Sequence, residues 1–264
     1  MCVLLGMSRS AYYKEKTVKK IDTTAENAVI KIFSDNRCVY GTRKIKKELN
    51  KSGVRLSRRK IGKIMKKYHL ISKYTLKNKP KTKKETVNED KIDNLVGRQF
   101  QNRTVLEVVV SDLTYVKVAG KWAYICFLFD ISCRRIVAFG VSFNKDAELV
   151  RKTFYSADCD LRLIGIFHTD RGSEFKNKFI DEIINAFGIK RSLSAKGTPI
   201  DNAVAEAMYK VLKTEFIFGE SFDSLQHLQL QLFHYVHWYN NVRIHASLYY
   251  LTPNQAMFNL SVHS

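Results

Sequence analysis

The sequence predicts a mixed α/β chain preceded by a small, basic, all-α region. Three observations carry that expectation. Residues 1–100 hold 27 Lys and Arg against 9 Asp and Glu, a net of +18, whereas residues 101–264 hold 18 against 16, a net of +2. Before residue 75 the apolar residues recur at helical spacing. From Val105 the chain turns rich in Val, Ile, Phe and Tyr and then alternates with helical patterns.

The elements follow in order. Met1–Tyr13 reads as an apolar piece, a Gly6 break and Ser8 as a helix N-cap. L-L-G-M-S-R-S-A-Y-Y looks like the turn and second helix of a helix-turn-helix whose first helix is missing, so the start is expected to be shortened. Thr24–Phe33 predicts a helix with Val29, Ile32 and Phe33 inward. Tyr40-Gly41 breaks it. Arg43–Leu49 predicts a second helix burying Ile45 and Leu49, ended by Gly53. Ser57 caps a third, where Ile61, Ile64, Met65 and Tyr68 fall at i, i+3, i+4 and i+7. Its other positions are Arg58, Arg59, Lys60, Lys63, Lys66 and Lys67. A narrow apolar stripe with a basic complement suits a helix laid on phosphates, and a solvated lysine face fits the same pattern.

Residues 75–104 are polar, with Pro80 and a K-x-K-K run, and read as a linker with an irregular lead-in. The expected division is 1–74, a basic helix-turn-helix-like DNA-binding region; 75–104, the linker; and 105–264, a sheet-containing core with C-terminal helices. In that core Val105–Val118, Lys121–Ser132 and Arg135–Phe143 predict three meander strands. Asp146–Asp158 predicts a helix, Leu163–Phe167 a strand, Asn177–Phe187 a helix and Ile189–Leu193 a strand. Asp201 caps a long helix to about Phe218, and Ser221–Asn240 makes the last one. The order βββαβαβαα implies a mixed sheet with helices on it.

The whole chain carries 45 Lys and Arg against 25 Asp and Glu, a net charge of +20. Such a field concentrates polyanions, and nucleic acid is the natural partner. The five cysteines form no C-x-x-C pair and lie at no zinc spacing, which fits buried thiols in a reducing cytoplasm. No apolar run approaches the ~18 residues of a membrane span. Met1–Met7 lacks the basic start of a signal peptide, so a cytoplasmic protein away from membranes is expected.

Three acids could carry chemistry. Val108-Val109-Val110-Ser111-Asp112 and Ile164–Asp170 each end an apolar strand with a carboxylate. Burying such a group costs several kcal/mol unless it is hydrogen-bonded or meets a cation. Either aspartate alone also fits a simple turn, and Asp170-Arg171-Gly172-Ser173 is a credible one. On the helix after Asp201, Val204, Met208, Val211 and Leu212 form the expected apolar face, with Glu206 opposite and Lys210 and Lys213 on its side. An ordinary Glu–Lys surface pair fits that spacing too. Hard divalent ions take such oxygen ligands, and two ions can clamp the attacking and leaving oxygens of a phosphodiester. There is no Walker loop and no G-x-S-x-G to support a rival chemistry.

S-D-L-T-Y-V, H-T-D-R-G-S-E-F and S-A-K-G-T-P-I-D-N-A-V-A-E-A-M-Y-K-V-L-K-T-E resemble the three catalytic blocks of transposases from two-frame bacterial insertion sequences. Thirty-five residues separate Asp170 from Glu206, the spacing of that family. W-Y-N-N-V-R-I-H-A-S-L-Y-Y-L-T-P, Trp238–Pro253, is similar to its C-terminal signature, and Y-G-T-R-K-I at 40–45 to the helix-turn-helix before the core. The chain thus resembles the downstream-frame (OrfB-type) DDE transposase with a retroviral-integrase core.

That resemblance implies a ribonuclease-H-like fold. It implies Asp112, Asp170 and Glu206 as metal ligands and catalytic residues, with two Mg²⁺ or Mn²⁺ ions. Double-stranded DNA of element ends and target is the implied substrate, with Lys210 and Lys213 near it. A homo-oligomer on DNA, an upstream-frame helix-turn-helix and leucine-zipper partner, and a bacterial, nucleoid-associated location are implied as well. The expected reaction is strand cleavage and strand transfer. Two rivals stand beside it, a nuclease that only hydrolyses and a catalytically silent DNA-binding repressor. Val109 stands where many relatives have Trp, Glu174-Phe175 where Gln-Tyr is common, and Thr198-Pro199 where Asn-Cys is usual.

Overall fold

The computed structural model describes Gly6, Ser8 and residues 23–75, 92–97, 99–100, 102–175, 177–195 and 202–262. Most of the Met1–Tyr13 piece, the K-x-K-K run, Thr198-Pro199 and the Asp201 cap lie outside these.

The basic region folds as three helices, α1 (Thr23–Asp35), α2 (Thr42–Lys51) and α3 (Arg58–Lys67). Each buries the stripe that its spacing predicts: Val29 and Phe33, Ile45 and Leu49, Ile61 and Ile64. Ser57 caps α3 by accepting from the Lys60 amide at 3.1 Å. Tyr68 departs from the expected stripe. It closes α3 on the surface, and its hydroxyl donates to Glu26.

The core contains a five-stranded sheet. β1 (Val108–Val118), β2 (Lys121–Asp130) and β3 (Arg135–Ser142) form an antiparallel meander, and β4 (Ile166–Thr169) and β5 (Lys190–Leu193) add in parallel beyond β1. The order is β3-β2-β1-β4-β5, a ribonuclease-H-like mixed sheet. Strand alternation sends Val109, Cys126 and Leu128 to one face. There they meet α4 (Ala147–Tyr155) and α5 (Lys178–Ala186), capped by Asp146 and Asn177. Val108, Val110, Phe127 and Phe129 face the other way. That face is covered by α6 (Ala203–Leu212) and α7 (Leu225–Asn241), in one apolar cluster with the three N-terminal helices.

Several details differ from expectation. The fourth strand, expected at Leu163–Phe167, begins only at Ile166, because Asp160 caps a 3-10 turn at Leu161–Leu163. The long helix is α only to Leu212 and continues as a π-helix, Lys213–Ile217. A further helix, α8 (Pro253–Val262), follows Ser221–Asn240. Its signal is present in Thr-Pro-Asn-Gln, because Gln255 Oε1 accepts from the Thr252 amide and Thr252 Oγ1 from the Gln255 amide, with Pro253 at the first helical position. The end of the expected linker is also built in: Val96 is buried, and the Leu95 amide donates to Ser192 Oγ at 2.9 Å.

Candidate active site and nucleic-acid face

β1 and β4 pair in parallel with Val110 opposite His168. Asp112 and Asp170 each follow that rung by two residues, so adjacent strands, about 4.8 Å apart, deliver them at the same level. Asp112 is half-buried and its Oδ1 accepts from the Leu113 amide at 2.7 Å. Asp170, also half-buried, opens a turn in which its Oδ1 accepts from the Gly172 amide at 3.0 Å. The turn expected at Asp170 therefore exists, and the same residue stands beside Asp112.

Glu206 comes from α6. The buried stripe of that helix is Ala205, Met208, Tyr209 and Leu212, with Val204 and Val211 only half-buried. Glu206 is exposed on the flank of the stripe, with exposed Lys210 and Lys213 beyond it. One turn on, the Tyr209 hydroxyl donates to the Asp112 carbonyl and accepts from the Phe127 amide at 3.1 Å. The Tyr209 ring meets Phe127 and Phe129 edge-on, with centroids 5.8 and 5.7 Å away. Residues three apart share a helix face, so this tether sets Glu206 next to the Asp112 strand. Burial keeps the Tyr209 phenol protonated, its pKa well above the ordinary value, with the charges of Cys126 and Asp112 acting in the same direction.

The structure thus brings the Asp112 and Asp170 strands side by side and lays the Glu206 helix on them. Among the described residues no three His, Cys, Asp or Glu side chains close into a ready-made metal cluster. Asp112 lies within β1 rather than at its end as expected, while Asp170 follows β4; the donors they offer are carboxylate oxygens, which suit hard cations. A fourth acid lies beside Asp170. Glu174 is buried, its Oε2 has no hydrogen bond, and Lys145 Nζ stands 3.2 Å away. A Cβ on Gly172 would lie 2.7 Å from the Glu174 carboxyl carbon, so the same glycine touches Glu174 and donates to Asp170. That oxygen is already ion-paired with Lys145, so Glu174 adds a buried, balanced negative charge next to the Asp170 turn. Burial pushes the Cys126 thiol up to about 12, so it is inert here.

On the N-terminal unit, Arg58, Arg59, Lys60, Lys63 and Lys66 are exposed along α3, as their spacing predicts. Lys67 is drawn aside, 2.7 Å from Glu26 of α1. Sequence reasoning missed a buried network that ties this unit to the core. Arg243 clamps both oxygens of fully buried Glu215, with Nε at 3.0 and 2.8 Å. Tyr74 and Tyr235 donate to the same carboxylate at 2.5 and 3.2 Å. Tyr40 accepts from the Ile244 amide at 2.8 Å. No helix among the described residues is long and apolar enough to cross a membrane.

Family models match the chain in three places. An HTH-like domain covers residues 20–78, and two Integrase core domain models cover 102–199 and 206–256. The transposase for insertion sequence element IS904 of Lactococcus lactis subsp. lactis (strain IL1403) is 29% identical, over 84% of this chain and 88% of the relative. The insertion element IS600 uncharacterized 31 kDa protein of Shigella sonnei is 29% identical over 96% of both chains. The transposase for insertion sequence element IS629, also of Shigella sonnei, is 24% identical over 97% of this chain and 90% of the relative.

Proposed function

Because this chain belongs to the integrase-core family and its relatives are insertion-sequence transposases, we propose that it cuts DNA at the ends of an insertion sequence and joins those ends to a target. The observation that carries this reading is the Tyr209 tether. It lays the helix of Glu206 on the strand of Asp112, and Asp170 leaves the neighbouring strand at the same level.

Asp112, Asp170 and Glu206 would hold two divalent ions, Mg²⁺ or Mn²⁺. Bound there, such ions would supply Lewis-acid activation of a water or a 3′-hydroxyl and stabilise the departing 3′-oxygen. The chain's own part is positioning. The Leu113 and Gly172 amides fix the two aspartates, and Tyr209 fixes α6. Lys210 and Lys213, beside Glu206, would meet backbone phosphates. No covalent protein–DNA intermediate is required.

In this reading residues 1–74 bind DNA through α3, 75–104 link, and 105–264 carry the chemistry. Arg58, Arg59, Lys60, Lys63 and Lys66 supply salt-sensitive affinity, with Lys67 the weakest member because Glu26 competes for it. The chain would work as a homo-oligomer on DNA, in the bacterial cytoplasm at the nucleoid. An upstream-frame partner rests on the resemblance alone.

The test is strand transfer on duplexes carrying the flanking element ends, with Mg²⁺ or Mn²⁺. Joined products are expected, and Asp112→Asn, Asp170→Asn or Glu206→Gln should each lower their yield by at least a hundredfold while duplex binding persists. Cleavage without joining would favour a hydrolytic nuclease. Full activity in Glu206→Gln would sink the site assignment.

A further inference from the structure

A cleft of about 580 Å³ opens between the N-terminal helices and the C-terminal tail. Its walls include Arg43 and Lys44 from the first turn of α2, Arg58 from the start of α3, the hydroxyl residues Thr42 and Thr75, and Tyr250 from the tail. Among the described residues no acidic one lines it.

Three features say that an anion belongs there. Arg43 and Arg58 are exposed, and neither has a hydrogen bond or ion pair among the described residues. Lys44 is half-buried, 4.9 Å over the Tyr40 ring, where burial and nearby Arg243 hold its pKa down to about 7, against the pull of Glu215. A negative ligand would offset that cost. Gly41, the N-cap of α2 and itself a lining residue, offers no side chain to the first-turn amides.

The tail is strained where it forms the wall. Tyr249 and Tyr250 are consecutive non-glycine residues at φ 53° and 66°. Such a conformation is unfavourable for a residue with a Cβ and persists where surrounding structure enforces it. Here the Tyr250 amide donates to the His245 carbonyl at 2.8 Å, and His245 is fixed by Arg243. Tyr250 in turn lies under Lys47 Nζ at 4.7 Å.

We propose that this cleft seats a phosphate of duplex DNA, in a contact made jointly by the N-terminal unit and the C-terminal tail. Duplex DNA is favoured because Arg58 belongs to both surfaces: it lines the cleft and begins the exposed cationic row of α3. A backbone running along that row passes the cleft mouth. The assignment rests on the DNA-acting reading and extends it by adding Arg43, Lys44 and the tail to the contact.

The test is fluorescence anisotropy of the full chain with a labelled duplex over a salt series in EDTA, so that metal chemistry plays no part. Arg43→Gln and Lys44→Gln should each weaken binding several-fold and lower the slope of log K against log[salt] by about one. Lys178→Gln, an exposed side chain at the start of α5, is the control and should change neither. Thermal melts check folding, and Arg43→Lys should keep the wild-type slope. Wild-type slopes in both Gln variants would overturn the cleft while leaving the DNA-acting reading intact. A wild-type chain with no salt-dependent duplex binding would overturn both. Inorganic phosphate is titrated separately at constant ionic strength, read by NMR of the Lys44 carbons next to Nζ. Saturation at micromolar phosphate would mean a free-phosphate site and overturn the DNA assignment; a shift with duplex alone supports it.

Discussion

The phenol of Tyr209 donates to the backbone carbonyl of Asp112, so a residue of α6 is fastened to the very residue whose carboxylate opens the candidate site. The same oxygen accepts from the Phe127 amide on β2. Tyr209→Phe keeps the ring packing and removes the fastening, leaving buried backbone groups without their partner. The variant should lose about 1–3 kcal/mol in urea unfolding. Strand transfer should fall on the order of tenfold to a hundredfold, since small misplacements of catalytic groups are expensive. Duplex binding should hold. Unchanged transfer in a measurably destabilised variant would show that the tether serves stability alone.

Glu215 and Arg243 are both buried, at 0% and 5% exposure, and each is the main counter-charge of the other. Removing one partner strands the other in a low dielectric. Arg243→Met and Glu215→Leu should each cost about 3–5 kcal/mol. The double variant should be better than the sum of the two singles. Arg243→Lys should recover little, because an ammonium cannot reproduce the two-pronged contact. Equilibrium denaturation of the four proteins gives the coupling directly.

His245 supplies a pH dependence. Burial, with Arg243, Lys44 and Arg134 nearby, holds its pKa far below the ordinary 6.5. Below about pH 6.5 the unfolded chain therefore binds a proton that the folded chain refuses, and stability falls as pH falls, by up to about 1.4 kcal/mol per pH unit. Lys44, lowered to about 7, acts with the same sign in a higher window, adding stability as pH rises from 7 toward 10.5. Urea midpoints between pH 5 and 6.5 should slope upward in the wild type and flatten in His245→Gln. Parallel slopes would remove His245 from the account.

Gly165 precedes β4. A Cβ there would lie 2.9 Å from the Glu107 carbonyl oxygen, and the glycine is pinned on both sides by Gly165 N to Leu106 O and Lys190 N to Gly165 O. The crowding atom is backbone and cannot swing away. Gly165→Ala should cost about 1–3 kcal/mol and slow strand transfer by disturbing the strand that ends in Asp170. Gly120→Ala, in the open β1–β2 turn at φ 82°, tests conformational strain without crowding and should leave transfer rates untouched.

Much of this was legible in the residues. The three N-terminal helices, the strands and most core helices follow from apolar spacing and caps, because the first three bury their stripes against one another and the core helices theirs against the sheet. Asp170 follows β4 directly, as its apolar run predicts, whereas Asp112 lies inside β1 rather than at its end, because the strand continues through the alternating residues to Val118. What escaped depends on contacts distant in sequence. Tyr209 reads as one more apolar helix residue until its hydroxyl is seen against β1. Glu215 carries no sequence signal of its own, and it is the π-helix and Arg243 that bury it. Glu174 reads as a turn residue, and only the packing of Gly172 shows it beside Asp170. The capping box of α8 was visible in Thr-Pro-Asn-Gln and needed no tertiary knowledge at all.

Tyr74 reaches from the N-terminal unit onto Glu215 and Arg243, Tyr40 onto the Ile244 amide beside them, and Glu215 lies on the helical rod that carries Glu206. At 1.5 Å per residue that rod separates the two acids by only about 13 Å. The consequence is evolutionary as much as mechanical. A unit that reads DNA is usually imagined as a cassette, free to be shuffled between enzymes. Here its exchange would tear two hydroxyl groups out of the core that steadies the chemistry. Chimaeras should therefore fold only when the incoming unit brings tyrosines at those two positions, so the two units are inherited together.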